Sequence, residues 1–170
     1  LLHLLDLLLG AQGPLTLVSA WASANHLFLG QVAGAPGSNE LEAIPRLLEL
    51  LQLQDAVVTL DALGCQPAIV EQIVEQGGDY VIALKLNQRK LYATVAALID
   101  VAGSRATSAE TCEDGHGRHE RRLIFVVAAP GLAREHGFKG LTAVARVVSE
   151  RTVDGKTTRE ERLFIASRRF

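Results

Sequence analysis

Two short runs rich in β-branched residues, Ala56-Val57-Val58-Thr59-Leu60 and Tyr80-Val81-Ile82-Ala83-Leu84, flank a segment with helical periodicity. Within that segment Ile69, Val70, Ile73 and Val74 fall on one face. Pro67 stands where a first helical position belongs, and Gly77-Gly78 ends the pattern. Apolar runs without polar alternation suit buried parallel strands. Two of them joined by a helix make a strand–helix–strand unit with a right-handed crossover. A second amphipathic segment follows, with Leu91, Val95, Leu98 and Ile99 on one face to about Ala102. Together these features confine the chain to an α/β layer fold.

The remaining segments extend that sheet. Residues 15–21 read as a strand, Ser23-Ala24-Asn25 as a turn, and residues 26–32 as an antiparallel return. Residues 34–39 read as a loop on composition. Ile44, Leu47, Leu48 and Leu51 define a helix that Pro45 predicts to begin close to itself, leaving Asn39 and Glu42 to cap a separate turn. Residues 103–115 are polar and rich in small side chains, and are expected to be a surface loop. Residues 118–127, 143–152 and 157–166 read as strands, the last two joined by the hairpin signal Asp154-Gly155. The expected fold class is α/β: a mixed sheet flanked by helices, with an antiparallel β extension in the C-terminal part.

Composition enters where it limits function. The 170 residues are 48% hydrophobic and 21% charged, which suits one globular domain. Two cysteines, Cys65 and Cys112, are too few for a disulfide framework and point to a reducing compartment. No run reaches the roughly 18 apolar residues of a membrane span. The opening leucine-rich stretch carries Asp6 and no basic residue to lead a secretory signal, so a cytoplasmic location is expected. The sequence has no methionine and begins with leucine, and reads as an excerpt of a longer product. Charge is uneven: residues 1–115 hold 5 Lys/Arg against 13 Asp/Glu, and residues 116–170 hold 12 against 6. A basic segment within an acidic total is a common signature of nucleic-acid contact, although surface arginines also serve merely to solvate a face.

Phosphate-loop, dinucleotide and nucleophile-elbow motifs are absent from the sequence. Asp61 is the most informative acid. It closes an apolar strand, and functional groups in open α/β sheets collect at the carboxyl ends of strands. A carboxylate there can hold Mg²⁺, or it can simply cap the turn into the next helix. Cys112, His116 and His119, with Cys65, have a spacing too short and too scattered to favour zinc over a buried thiol and surface histidines. Arg118 and Arg122 lie an even number apart on a strand, where they either meet backbone phosphates or pair with Glu113, Glu120 or a neighbouring strand's acids.

Several blocks carry a family resemblance. They are Leu17-Val18-Ser19-Ala20-Trp21-Ala22, Leu29-Gly30-Gln31, Ser38-Asn39-Glu40 with Ala43-Ile44-Pro45, and Val58-Thr59-Leu60-Asp61-Ala62-Leu63-Gly64-Cys65-Gln66. Gly77-Gly78-Asp79-Tyr80-Val81-Ile82-Ala83-Leu84-Lys85 with Asn87-Gln88, and His116-Gly117-Arg118 with Glu120 and Arg122, complete the pattern. With these the chain resembles the H-repeat-associated group of bacterial insertion-sequence DDE transposases, which have a ribonuclease H-like core. The likeness runs from about residue 13 to the end. It implies an atypical leucine-rich stretch at 1–12 and a partial catalytic domain at 13–170, with its core at 13–102 and basic antiparallel strands at 116–170.

The resemblance implies DNA strand cleavage and transfer by two metal ions, Mg²⁺ or Mn²⁺, held by three carboxylates. Asp61 matches the second of these acids as catalytic and metal-binding residue. Lys85, Asn87, Arg118 and Arg122 fall where DNA contacts are expected. DNA, as transposon ends and target, is the implied partner, with a homo-oligomer possible and no membrane. The family's Asp-Gly-Lys motif is missing upstream of Leu17, Leu86 replaces a glycine, and no Trp-x-x-Glu-Asn-like context for the third acid is present. This polypeptide alone is therefore expected to be inactive. Two alternatives stay open: a non-catalytic DNA-binding relic of a decayed element, and an unrelated α/β small-molecule enzyme using Asp61.

Overall fold

In the computed structural model, which describes residues 2–8, 16–35, 40–115 and 117–168, the two apolar runs lie side by side and parallel. Of residues 2–8 and Thr16 the backbone alone is described. In chain order the elements are β1 (Leu2–Leu8), β2 (Thr16–Ala22), β3 (Leu27–Ala33), α1 (Glu40–Glu49), β4 (Val57–Leu60), α2 (Pro67–Glu75) and β5 (Asp79–Leu84). They continue with α3 (Arg89–Ala102), β6 (Thr107–Gly115), β7 (Arg118–Ala128), α4 (Leu132–His136), β8 (Ala143–Val153) and β9 (Lys156–Ala166). The strands form one sheet in the order β3-β2-β1-β4-β5-β9-β8-β7-β6. Parallel pairing is confined to β1 with β4 and β4 with β5, so the expected mixed sheet with an antiparallel extension is what forms.

Register explains how the core is built. Buried Val58 pairs with buried Tyr80, Leu60 with Ile82, Ile82 with Ile165, and Ile165 with Val144. The alternate residues Thr59, Val81, Ala83, Phe164 and Ala145 are only half-buried. One face of the sheet is therefore packed, and its buried side chains join Leu47, Leu48, Ile69, Ile73, Leu91, Val95 and Ile99 of the helices in a single cluster. The other face stays open among the described residues. No charged or polar side chain is buried among them.

Two sequence expectations are corrected. The first helix does not wait for Pro45: α1 begins at Glu40 and passes through it. Pro inside a helix costs about 3 kcal/mol. Ile44, Leu47 and Leu48 are all buried, and each contributes about 1.5–3 kcal/mol, so the apolar face outweighs the lost hydrogen bond. The Gln72 side chain also donates to the Pro45 carbonyl at 3.0 Å. Asn39, and with it most of the expected 34–39 loop, lies outside the described residues.

The expected loop at 103–115 is instead a single turn of 3₁₀ helix (Gly103–Arg105) and the strand β6. Every residue of β6 is exposed, so it shows no apolar alternation. It forms because β7 supplies a partner through nine paired positions. Ion pairs lie across the two strands: Glu110 with Arg121 at 2.7 Å and Glu113 with Arg122 at 3.4 Å. Charges on such an edge also discourage pairing with another chain. The helix α4 carried no sequence expectation, because its five residues are too few to show a period.

The hairpin at Asp154-Gly155 follows its sequence signal. Asp154 has φ 49° and Gly155 φ 74°, the left-handed pair that a tight two-residue turn between twisted strands requires. No helix is long and apolar enough to cross a membrane among the described residues.

Candidate functional site

Asp61 is the first residue beyond β4, and its side chain is exposed. Its Oδ1 accepts from the Leu63 amide at 3.0 Å and from the Gly64 amide at 3.4 Å. This closes a local turn that hands the chain to α2. Gly64 has little room for a side chain, because a Cβ there would meet the Leu60 side chain at 3.0 Å. The strand end thus presents one carboxylate at a defined place, with one oxygen turned to the backbone. In geometry Asp61 caps the turn, and it stands exposed at the carboxyl end of the strand.

The segment after β5 braces this turn. Asn87 donates from Nδ2 to the Ala62 carbonyl at 2.6 Å, and Gln88 donates from Nε2 to the Cys65 carbonyl at 3.0 Å. Cys65 is fully buried beneath, and burial pushes its thiol up to about 12. Asn87 therefore spends its amide on the loop that carries Asp61. Lys85 is exposed at the end of β5. Arg162, and after it Lys85, hold the Glu160 carboxyl below the usual carboxylate range. From the sequence, Gln88 appeared only within the resemblance block Asn87-Gln88, with no role assigned to it.

No group of three or more His, Cys, Asp or Glu side chains that could hold a metal ion converges among the described residues. One carboxylate, half of it engaged by amides, falls short of the oxygen set that Mg²⁺ takes. Asp6 lies in β1 opposite Val18 of β2. The zinc set does not assemble either: Cys65 is buried, Cys112 is exposed on β6 beside Glu110, and His119 contacts Asp114 at 2.7 Å. His116 lies outside the described residues.

Arg118 and Arg122 share one face of β7, as their spacing requires, and Glu120 lies between them. Glu120 contacts Arg118 at 3.1 Å, Arg122 at 2.6 Å and Arg151 of β8 at 3.8 Å. Arg122 also reaches Glu113 at 3.4 Å. The pairing alternative is therefore realised for both arginines, while each stays some 40% exposed or more. Arg151 and Arg162 join the same side of the sheet. Sequence reasoning missed them because only strand register places Arg151 opposite Glu120, and Arg162 opposite Val147.

Comparison with known proteins completes the description. Residues 14–146 match the family model described as the transposase DDE domain. A Xanthobacter autotrophicus protein, "Uncharacterized protein in dhlA 3'region", is 38% identical over 156 residues, covering 90% of this chain and 53% of that protein. "H repeat-associated putative transposase YhhI" of Escherichia coli (strain K12) is 33% identical over 159 residues, covering 91% of this chain and 42% of the relative. "H repeat-associated putative transposase YbfD" of the same strain is 36% identical over 122 residues, covering 70% and 48%. The chain spans about half the length of these curated relatives.

Proposed function

The chain belongs to the transposase DDE domain family, and from that premise we propose that it forms part of a DNA transposase. In the longer polypeptide it would contribute to metal-dependent cleavage and transfer of DNA strands, acting in the cytoplasm on transposon ends and target DNA. The observation that carries this reading is Asp61, an exposed carboxylate at the end of a parallel strand within the matched span. In this reading Asp61 is one of several acids that hold Mg²⁺ or Mn²⁺. Residues 13–102 form the catalytic core and residues 116–170 a basic, DNA-facing extension, with 1–12 as an atypical leading stretch. Lys85, Arg118 and Arg122 contact DNA, and Asn87 keeps the Asp61 turn in place beside them.

Because no three His, Cys, Asp or Glu side chains that could hold a metal ion converge among the described residues, this polypeptide alone is inactive in the same reading. That feature also supports a second reading, in which the chain is a non-catalytic DNA-binding relic. Strand-transfer assays on the full-length protein separate the two. Activity that needs Mg²⁺ or Mn²⁺ and disappears in Asp61→Asn and Asp61→Ala supports the transposase. Equal activity in those variants removes Asp61 from the reaction, and no activity in the full-length protein favours the relic.

A further inference from the structure

The open face of the sheet carries a groove of about 550 Å³ across β7, β8 and β9. Its floor includes Val147 and Phe164, and its rim includes Arg122, Arg151 and Arg162. Register assigns every strand residue of this region to one side or the other. On the open side, strands β6 to β9 present five cations, Arg118, Arg122, Arg151, Lys156 and Arg162, against three carboxylates, Glu113, Glu120 and Glu160. On the helix-facing side the same strands present three arginines against four carboxylates. The basic excess of the C-terminal segment is therefore concentrated on the side without helices.

The same side leads to Asp61. Leu60 pairs with Ile82, so Asp61 leaves its strand at the level of Ala83, and Ala83 pairs with Phe164 in the groove floor. Strands lie about 4.8 Å apart and rise about 3.3 Å per residue, so the backbone of Arg162 is about 12 Å from that of Asp61. That span equals three to four base-pair rises of a duplex.

We infer that this groove is a docking track for the phosphate backbone of DNA, with Arg122, Arg151 and Arg162 as its contacts, running toward Asp61 on one continuous face. The inference rests on the transposase reading for its choice of polyanion. The carboxylates do not block it: Arg162 pairs with Glu160 at 2.8 Å with each 60% exposed, and Arg151, 55% exposed, reaches the less exposed, shared Glu120 only at 3.8 Å. Exposed ion pairs are exchanged for phosphate at little cost. Contacts of this kind position a duplex without reading its sequence.

The test is fluorescence anisotropy of a labelled 20-base-pair duplex of arbitrary sequence, titrated with this chain in EDTA at several NaCl concentrations. The triple variant Arg122→Gln/Arg151→Gln/Arg162→Gln should bind at least tenfold more weakly, and its salt slope should fall by about 2.7, or about 0.9 per lost phosphate contact. Arg121→Gln, on the helix-facing side and outside the lining of the groove, should stay within twofold of the parent chain. Glu160→Gln should bind more tightly with a steeper slope, a gain that misfolding cannot produce. Undiminished binding by the triple variant, equal loss in the helix-side control, or no binding by the parent chain at 50 mM NaCl would overturn the groove. None of these outcomes bears on Asp61-dependent strand transfer by the full-length protein, so the two readings fail separately.

Discussion

Asn87 and Ala62 are 25 positions apart in sequence, yet the Asn87 amide nitrogen lies 2.6 Å from the Ala62 carbonyl oxygen. The bond ties the segment after β5 to the turn after β4, one residue beyond Asp61. With Gln88 on the Cys65 carbonyl, it makes two neighbouring strand ends into one braced surface. A carboxylate acting on phosphates must be held in position, and here the brace comes from the adjacent strand and not from the turn alone.

Asn87→Ala should cost about 0.5–1.5 kcal/mol of stability, the range for a single partly buried hydrogen bond. Urea denaturation with an unchanged m-value is the check. If the brace matters for function, strand transfer by the full-length protein should fall further than the lost stability accounts for, and Asn87→Asp should not restore it, because a carboxylate oxygen cannot donate to the Ala62 carbonyl.

Glu120 separates three arginines with a side chain only 17% exposed. Replacing it with Gln should lower stability by about 1 kcal/mol, because Arg118, Arg122 and Arg151 then repel one another. The same variant should bind duplex DNA more tightly. Opposite signs in thermal midpoint and in DNA affinity are the expected outcome; parallel losses would mean that Glu120 organises the DNA contacts.

The two cysteines should differ sharply in reactivity. With its thiol raised to about 12 and its side chain buried, Cys65 stays protonated and shielded. Cys112 is exposed; desolvation and then the neighbouring Glu110 raise its thiol above the ordinary value. Iodoacetamide at pH 8 should label Cys112 in the native chain, slowly, and both cysteines in 8 M urea, as read by mass spectrometry. For Cys65 the folded value lies above the unfolded one, so its contribution to stability is complete below about pH 9 and declines as pH rises toward 12.

The pair between Arg121 and Glu110 should be visible in the pH dependence of stability. A hydrogen bond from Arg121 lowers the Glu110 carboxyl below its ordinary 4.5. A depressed carboxylate contributes stability above its unfolded value and loses it as pH falls through the folded one. The difference in thermal midpoint between the parent chain and Arg121→Ala should therefore be largest above pH 4.5 and shrink below it. A difference that is constant down to pH 2 would assign the effect to packing of the arginine stem.

How much of this was legible in advance depends on where each signal resides. Local patterns determined β2 to β5, α2, α3 and the β8–β9 hairpin, because burial of a face imposes a period and a tight turn demands residues tolerant of positive φ. The resemblance, carried on contiguous blocks around Asp61, was equally readable, and so was the shared face of Arg118 and Arg122. What the sequence could not determine were features that need a partner from elsewhere in the chain. The exposed strand β6 exists only because β7 completes its hydrogen bonds. α1 runs through Pro45 because buried Ile44, Leu47 and Leu48 outweigh the lost bond. The role of Asn87 depends on a carbonyl 25 residues away, and the groove joining Arg122 to Arg151 and Arg162 depends on the register of three strands. Periodicity is a property of one segment, whereas pairing and register are decided by the free energy of the assembled sheet, and only the tertiary structure contains that.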